Sequence, residues 1–384
     1  MDRVFFEGIR CFPSRQEVPL APVTILVGEN STGKSTVLAL IRLAWDVVQR
    51  EELDFNEEPF LLGAYDQIAS ALGQEEQRVK FTIGWKTEVG SFEGKFVEHD
   101  GQPVLEKTLA EIPPYKLEYR YSSVTHQEDI FLVEGPVEKG GELDLALEID
   151  ASMGVQLYNL ARPYAFAPIR TRPRRTYDPI KRAVNPEGDH VPLLLASSAL
   201  RRSNEWQRLV GALESFGKHS GLFTRVDVRQ LGESESDPFQ IQIHLEGKVV
   251  NLIDVGYGVS QVLPIIVDCL RGDEGGIYLL QQPEVHLHPK AQAELGSFLG
   301  VLAKQQNKRF VIETHSDYLV DRVRMDIRDK KGLTPADVAL LYFERKNGEA
   351  TIHRLELDEQ GNILNAPPGY RSFFLEEERR FLGG

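Results

Sequence analysis

A glycine–lysine loop set between an apolar run and a helical run leaves a chain little choice of local fold. Residues 28–35 read Gly28-Glu29-Asn30-Ser31-Thr32-Gly33-Lys34-Ser35, the spacing G-x-x-x-x-G-K-[ST]. Val23-Thr24-Ile25-Leu26-Val27 precede them and Thr36-Val37-Leu38-Ala39-Leu40-Ile41-Arg42-Leu43 follow. In a strand, glycine turn and helix of this kind, backbone N–H groups close around phosphate oxygens, and the helix N-terminus adds partial positive charge. Gly28, Asn30, Ser31, Gly33, Lys34, Ser35 and Thr36 are therefore the candidate contacts to a nucleoside triphosphate. Lys34 can reach the β- and γ-phosphates and serve catalysis there, and the Ser35 hydroxyl can ligate Mg²⁺. The competing explanation is a glycine-rich turn that matches by chance, and both flanks speak against it. ATP with Mg²⁺ is the expected cofactor pair.

With 384 residues the chain can bury a large core, as one elaborated domain or two. Its 41% hydrophobic and 27% charged residues are those of an ordinary globular protein. No apolar run approaches the roughly 20 residues of a membrane span, and Met1-Asp2-Arg3-Val4-Phe5-Phe6 lacks a signal-peptide core. Cys11 and Cys269 are the only cysteines, so neither a disulfide framework nor a zinc ribbon is indicated. A cytoplasmic protein without a membrane partner is expected.

A net charge of −14 argues against coating nucleic acid through the overall field. One segment stands apart: Arg162, Arg170, Arg172, Arg174, Arg175, Lys181 and Arg182, with Asp178 the only acid among them. Its prolines disfavour a regular helix, and guanidinium groups grip phosphate bidentately. Arg170–Arg175 can thus touch nucleic acid, a partner chain or a nucleotide. Equally, the segment can be a solvated loop paired with the chain's own carboxylates.

Three stretches are expected along the chain. Residues 1–75 hold the first part of an ATPase core, with a helix after the loop running to about Gln49 and then an acidic stretch (Glu51, Glu52, Asp54, Glu57, Glu58). Residues 76–238 are inserted. There Val79, Phe81, Ile83 and Trp85 alternate with polar or small residues, and similar runs at 116–121, 129–133 and 143–149 predict an antiparallel meander, with a helix over 193–216. Residues 239–384 return to the core. Strands at 239–255, 277–280 and 309–312 and helices at 259–271 and 289–305 suggest a parallel sheet. A last hairpin, Leu340–Phe343 with Ile352–Leu357, turns near Lys346-Asn347-Gly348.

In a P-loop enzyme a second apolar strand should end in an acid for Mg²⁺ and another that polarises water. Gly276-Ile277-Tyr278-Leu279-Leu280-Gln281-Gln282-Pro283-Glu284-Val285-His286-Leu287-His288-Pro289 takes that place. The run resembles the E-[EQ]-P-E-x-H-L-H-P signature of ABC-type ATPases related to the RecF, SMC and overcoming-lysogenisation-defect proteins. Val255-Gly256-Tyr257-Gly258-Val259-Ser260-Gln261 is similar to their divergent signature loop, and Ile312-Glu313-Thr314-His315-Ser316-Asp317 to their switch-histidine segment. Ala167-Pro168-Ile169-Arg170, Pro173-Arg174-Arg175-Thr176-Tyr177-Asp178 and Pro367-Pro368-Gly369-Tyr370 resemble members linked to bacterial phage defence. The resemblance implies an α/β P-loop NTPase of ABC-ATPase head type with an inserted β-rich and helical region. It also implies a homodimer that sandwiches ATP, with Gly258 and Ser260 reaching the partner's nucleotide and His315 the γ-phosphate.

Gln281 and Gln282 depart from the family pattern. Gln281 can offer Mg²⁺ a neutral carbonyl but no charge, and Gln282 can orient water but is no base at neutral pH. Glu284 is the nearest remaining carboxylate. A slow natural hydrolase, a switch driven by binding, and a Glu-to-Gln change introduced to trap ATP all fit. Gln67 stands where a glutamine would link Mg²⁺ to the body of the ATPase, or is an ordinary surface residue. His286 and His288 beside Glu284 invite a metal site, or else Leu287-His288-Pro289 simply opens the next helix. His315 is either a core histidine or a nucleotide contact.

The resemblance implies a regulatory ATPase subunit acting with a separate effector, such as a nuclease, in phage defence. Related one-chain enzymes carry a Toprim nuclease, but the sequence contains no Asp-x-Asp, so a nuclease would act in trans. A RecF-like repair ATPase clamping DNA is the alternative. A transporter motor is disfavoured because L-S-G-G-Q is missing.

Overall fold

In the largest sheet among the described residues, a strand of alternating burial such as Ser91–His99 lies beside strands with consecutive buried residues. The computed structural model describes residues 2–49, 51–71, 80–121, 128–134, 161–180, 182–201, 204–370 and 379–380. The expected run at 143–149, Val79 and Lys181 lie outside the described residues. The chain forms two compact units, Met1–Pro163 with Ala339–Glu356 and Ile363–Gly384, and Tyr164–Val338 with Leu357–Asn362. The break after Pro163 falls inside the stretch expected to be inserted.

In the first unit, β1 (Arg3–Glu7) buries Val4, Phe5 and Phe6 and pairs antiparallel with β2 (Gln16–Pro19) and β4 (Phe81–Lys86). The sheet continues through β5 (Ser91–His99), β6 (Gln102–Ile112), β7 (Tyr115–Tyr121) and β8 (Glu128–Glu134), in the order β2-β1-β4-β5-β6-β7-β8. This is the expected meander. Phe81 stacks on Phe96 at 5.0 Å between centroids, and Phe55 meets both rings edge-on. Such pairs add to the burial of their large apolar area.

The strand before the phosphate loop, β3 (Val23–Gly28), is buried along nearly its whole length, the mark of a strand covered on both faces. It feeds α1 (Lys34–Gln49), whose side chains are almost all buried. Beside β3 lies β15 (Val338–Lys346), paired antiparallel with β16 (Glu349–Leu355). Asn347 and Gly348, at φ 52° and 89°, form the two-residue turn, whose left-handed backbone matches the strands' twist. A short helical turn, α2 (Tyr65–Ile68), packs into the same unit.

The second unit holds a parallel run in which β13 (Ile277–Gln281) lies between β9 (Tyr164–Phe166) and β14 (Arg309–Glu313), with Leu280 opposite Phe166 and Ile312. A separate antiparallel meander joins β10 (Arg225–Gln230), β11 (Phe239–Leu245) and β12 (Lys248–Asn251). The helix expected over 193–216 is two, α3 (Val191–Leu200) and α4 (Asn204–Ser220). Arg201 caps the end of α3, donating its N–H to Ser197 O at 3.3 Å. The remaining helices are α5 (Tyr257–Arg271), α6 (Pro289–Gln305) and α7 (Asp317–Arg328). Residues 252–254, expected as strand, form a 3₁₀ turn capped by the Asn251 side chain.

Candidate functional site

The phosphate loop of the first unit is a backbone construction. Gly28, Ser31 and Gly33 take φ values of 142°, 60° and 93°. A side chain on Gly28 would run into the Phe343 carbonyl oxygen, and one on Gly33 would sit 2.5 Å from the Phe12 ring. Only glycine fits both positions. Lys34 is 3% exposed, and its ammonium folds back to donate to the carbonyls of Gly28 (3.0 Å) and Glu29 (2.5 Å). The Thr32 hydroxyl donates to Glu29 O at 2.8 Å and closes the turn. Helix α1 begins at Lys34 with its ladder opening at Val37 N–H to Gly33 O, 3.0 Å, so the amides before it belong to the loop. Asn30, Ser31 and Ser35 are exposed and Thr36 is buried. Exposed backbone at a helix start, a buried cation and a hydroxyl fit a triphosphate with Mg²⁺.

Two arginines brace this loop, and sequence reasoning missed both. Arg10 donates to the Thr36 hydroxyl (3.0 Å), Leu62 O (2.9 Å) and Gln67 O (3.2 Å), and burial pulls its guanidinium below its ordinary range. Arg345, in β15, donates to Ser31 O at 3.0 Å. Nothing local in the sequence announces either contact. Arg10 ties the Gln67 main chain to the start of α1, while Gln67 Oε1 accepts the Ala64 N–H at 3.2 Å. The glutamine side chain is thus engaged with its own turn.

In the second unit the strand expected to carry acids ends as the sequence says. Gln281 is buried at the end of β13. Gln282 takes a left-handed φ of 42° and donates its N–H to Glu313 O at 2.8 Å. Glu284, 8% exposed, accepts the His315 N–H on Oε1 at 2.8 Å, while Oε2 is buried without a well-aligned partner among the described residues. Burial pushes its carboxyl above the usual range, against the opposing pull of the His315 amide, Thr314 and Arg170. The His315 residue is exposed, not a core histidine.

The helix-start explanation accounts for His288. His288 caps α6 by accepting Lys290 N–H on Nδ1 at 3.3 Å, with Pro289 in the first turn. The His286 ring meets Tyr257 edge-on at 4.9 Å. Among the described residues no three His, Cys, Asp or Glu side chains gather to hold a metal.

The signature-loop segment opens α5, with Gly256 and Tyr257 exposed. Gly258 lies so close to His286 O that an added Cβ would sit 2.6 Å from it. Ser260 is buried and donates to Tyr257 O at 2.8 Å, so its hydroxyl faces its own helix turn. The exposed face here is Gly256–Tyr257.

The arginine segment resolves into pairs. Arg162 bridges Asp46 at 3.0 Å and Glu57 at 2.6 Å. Arg175 grips Asp254 at 2.7 Å, Arg174 lies 3.7 Å from Asp189, and Arg182 also bridges Asp189. Arg172 is exposed, but Arg170 is 1% exposed. Its main chain is held by Gln261, whose Oε1 accepts Arg170 N–H at 3.1 Å and whose Nε2 donates to Arg170 O at 3.3 Å. Burial brings the Arg170 guanidinium down to about 10.

A buried strand, a glycine loop and a helix that opens on a buried lysine define a P-loop nucleotide-binding protein of mixed α/β architecture. The chain belongs to the family described as "AAA domain, putative AbiEii toxin, Type IV TA system", whose model matches residues 23–321. Residues 333–378 match a second family, described as "Protein of unknown function (DUF3696)". Among solved structures, the SMC head domain from Thermotoga maritima is 14% identical, covers 92% of this chain and 98% of its own, and has a TM-score of 0.40. An SmcHead bound to the C-winged helix domain of ScpA is 12% identical, with 92% and 98% covered and a TM-score of 0.44. The Smc head with an extended coiled coil, bound to the C-terminal domain of ScpA derived from Pyrococcus furiosus, is 10% identical, with 99% and 100% covered and a TM-score of 0.40. Comparison with curated proteins gives no match. No helix among the described residues is long and apolar enough to cross a membrane.

Proposed function

We propose that this AAA-family ATPase binds ATP with Mg²⁺ in the cytoplasm, hydrolyses it slowly, and closes as a homodimer around the nucleotide. Dimer closure switches a separate effector, a nuclease of a phage-defence system. The phosphate loop carries the first part: Gly28, Gly33 and the start of α1 form a cradle with the Lys34 ammonium already inside it. In this reading Ser35 and Gln281 hold the metal, with Gln67 a further candidate, and bound Mg²⁺ screens the charge of the β- and γ-phosphates. Gln282 orients water without taking its proton, Glu284 is the remaining carboxylate, and His315 contacts the γ-phosphate.

Slow turnover follows from two neutral side chains in place of acids. The family's own description, which names a toxin of a type IV TA system, and the segments resembling phage-defence members support the effector role. Gly258 and Ser260 are assigned to the partner's nucleotide by the family motif, with Gly256 and Tyr257 as the surface that meets it. The DNA-clamping alternative gains nothing from Arg174, Arg175 and Arg182, which pair with the chain's own carboxylates.

Titration of Mg·ATP into the protein by calorimetry tests the core of this reading. Lys34→Ala is expected to weaken binding by about a hundredfold or more, since it removes a desolvated charged donor. Unchanged affinity in that variant would sink the phosphate-loop assignment.

A further inference from the structure

One side chain of α5 is stitched into another segment's backbone. Gln261 is 1% exposed and lies one turn into the helix, past the exposed Gly256 and Tyr257. Both of its amide groups are spent on Arg170, one on the N–H and one on the carbonyl. This anchors the main chain of a residue that carries a buried charge.

The guanidinium so anchored is only partly satisfied. Nη1 donates to Ala167 O at 3.1 Å, while Nε and Nη2 are buried with no partner among the described residues. Glu284 mirrors it: Oε1 accepts the His315 amide and Oε2 lacks a well-aligned partner. Phe166 and Leu280 pair in parallel register, and Arg170 and Glu284 each follow four residues on. The two are close enough to influence each other's charge without a direct ion pair, with Tyr257 near Arg170 as well. Thr314 faces Glu284 as well, and the His286 ring packs on Tyr257. Burying a guanidinium and a carboxylate that are not paired to each other costs free energy that a direct ion pair would partly recover. Buried charged groups perturbed in this way are enriched at functional sites.

We propose that Arg170 is a positioning residue that couples the first turn of α5, through Gln261, to the Glu284 carboxylate. Whatever holds or moves Gly256–Tyr257 then alters the charge and orientation of Glu284 through two hydrogen bonds and one buried cation. The inference rests on the reading that the motif after β13 serves ATP hydrolysis.

Single-turnover hydrolysis, with protein in excess over ATP and followed across pH, tests it in the parent, Arg170→Met, Arg170→Lys and Gln261→Met. Both Met variants are expected to slow hydrolysis about tenfold, as losses behind a reacting group do, with ATP affinity held within about twofold. In Arg170→Met the acid limb of the profile should move up by about one pH unit, because the cation that favours the carboxylate is gone. Arg170→Lys should restore that limb. A merely structural role would lower thermal stability and leave the limb in place. Should Arg170→Met fail to fold, Gln261→Met decides, since it cuts the tie and keeps the guanidinium. An acid limb in folded Arg170→Met that coincides with the parent's, or an unaltered rate in Gln261→Met, would overturn the coupling. A parent that binds no ATP, or whose hydrolysis survives Lys34→Ala, defeats the ATPase reading instead.

Discussion

The phosphate loop and the cluster after β13 are made of different materials. In the loop, glycine conformations and backbone amides do the shaping, and Lys34 is the one buried charge. In the cluster, buried side chains do it: Gln281, Glu284, Arg170 and Gln261 are each under 9% exposed. A backbone-built site tolerates changes at its exposed positions and breaks at its glycines. A side-chain site is tuned by charge, so its failures are graded and depend on pH.

The largest expected effect tests the cluster's chemistry. Gln282→Glu supplies the missing base and should raise hydrolysis by about a hundredfold with ATP affinity little changed. Steady-state phosphate release measures it, and no gain would show that the glutamines are not what limits turnover. Next comes the loop. Gly28→Ala places a side chain against the Phe343 carbonyl at a φ of 142° and should cost about 2 kcal/mol in denaturant unfolding, along with ATP binding. A variant as stable as the parent would mean that the loop is plastic rather than braced.

The smallest effect concerns Glu284. Its folded-state carboxyl is raised, so folding favours the protonated form. That contribution is full below the ordinary carboxylate range and is lost as pH rises through the raised value. Glu284→Gln keeps an acceptor for the His315 amide but does not titrate. Its stability relative to the parent should therefore climb as pH rises from the ordinary carboxylate range through the raised value. Parallel unfolding midpoints across that range would place the charge of Glu284 outside the stability of the fold.

The same contrast explains what was legible. Glycine spacing between two periodic runs specifies β3, the loop and α1 because every constraint is local, and Asn347-Gly348 marks its hairpin for the same reason. The apolar stretch before Gln281 and the Pro289 helix start were legible too. What escaped depends on distant partners. Arg170 looks like any other arginine in a basic loop until Gln261, 91 positions later, draws its main chain inside. Arg10 and Arg345 serve the loop through contacts no motif encodes. The two glutamines were plain in the sequence; their consequence for rate is chemistry that geometry alone does not measure.

The bond from Arg345 to Ser31 spans 314 positions, and Phe343 backs Gly28 from the same strand. The phosphate loop thus waits for a strand synthesised 314 positions later. At roughly 5–20 residues per second of synthesis, that wait is about 15 to 60 s. During it the nascent chain carries the complete glycine motif without the wall that shapes it. A polypeptide interrupted before this hairpin would keep the motif and lose its brace.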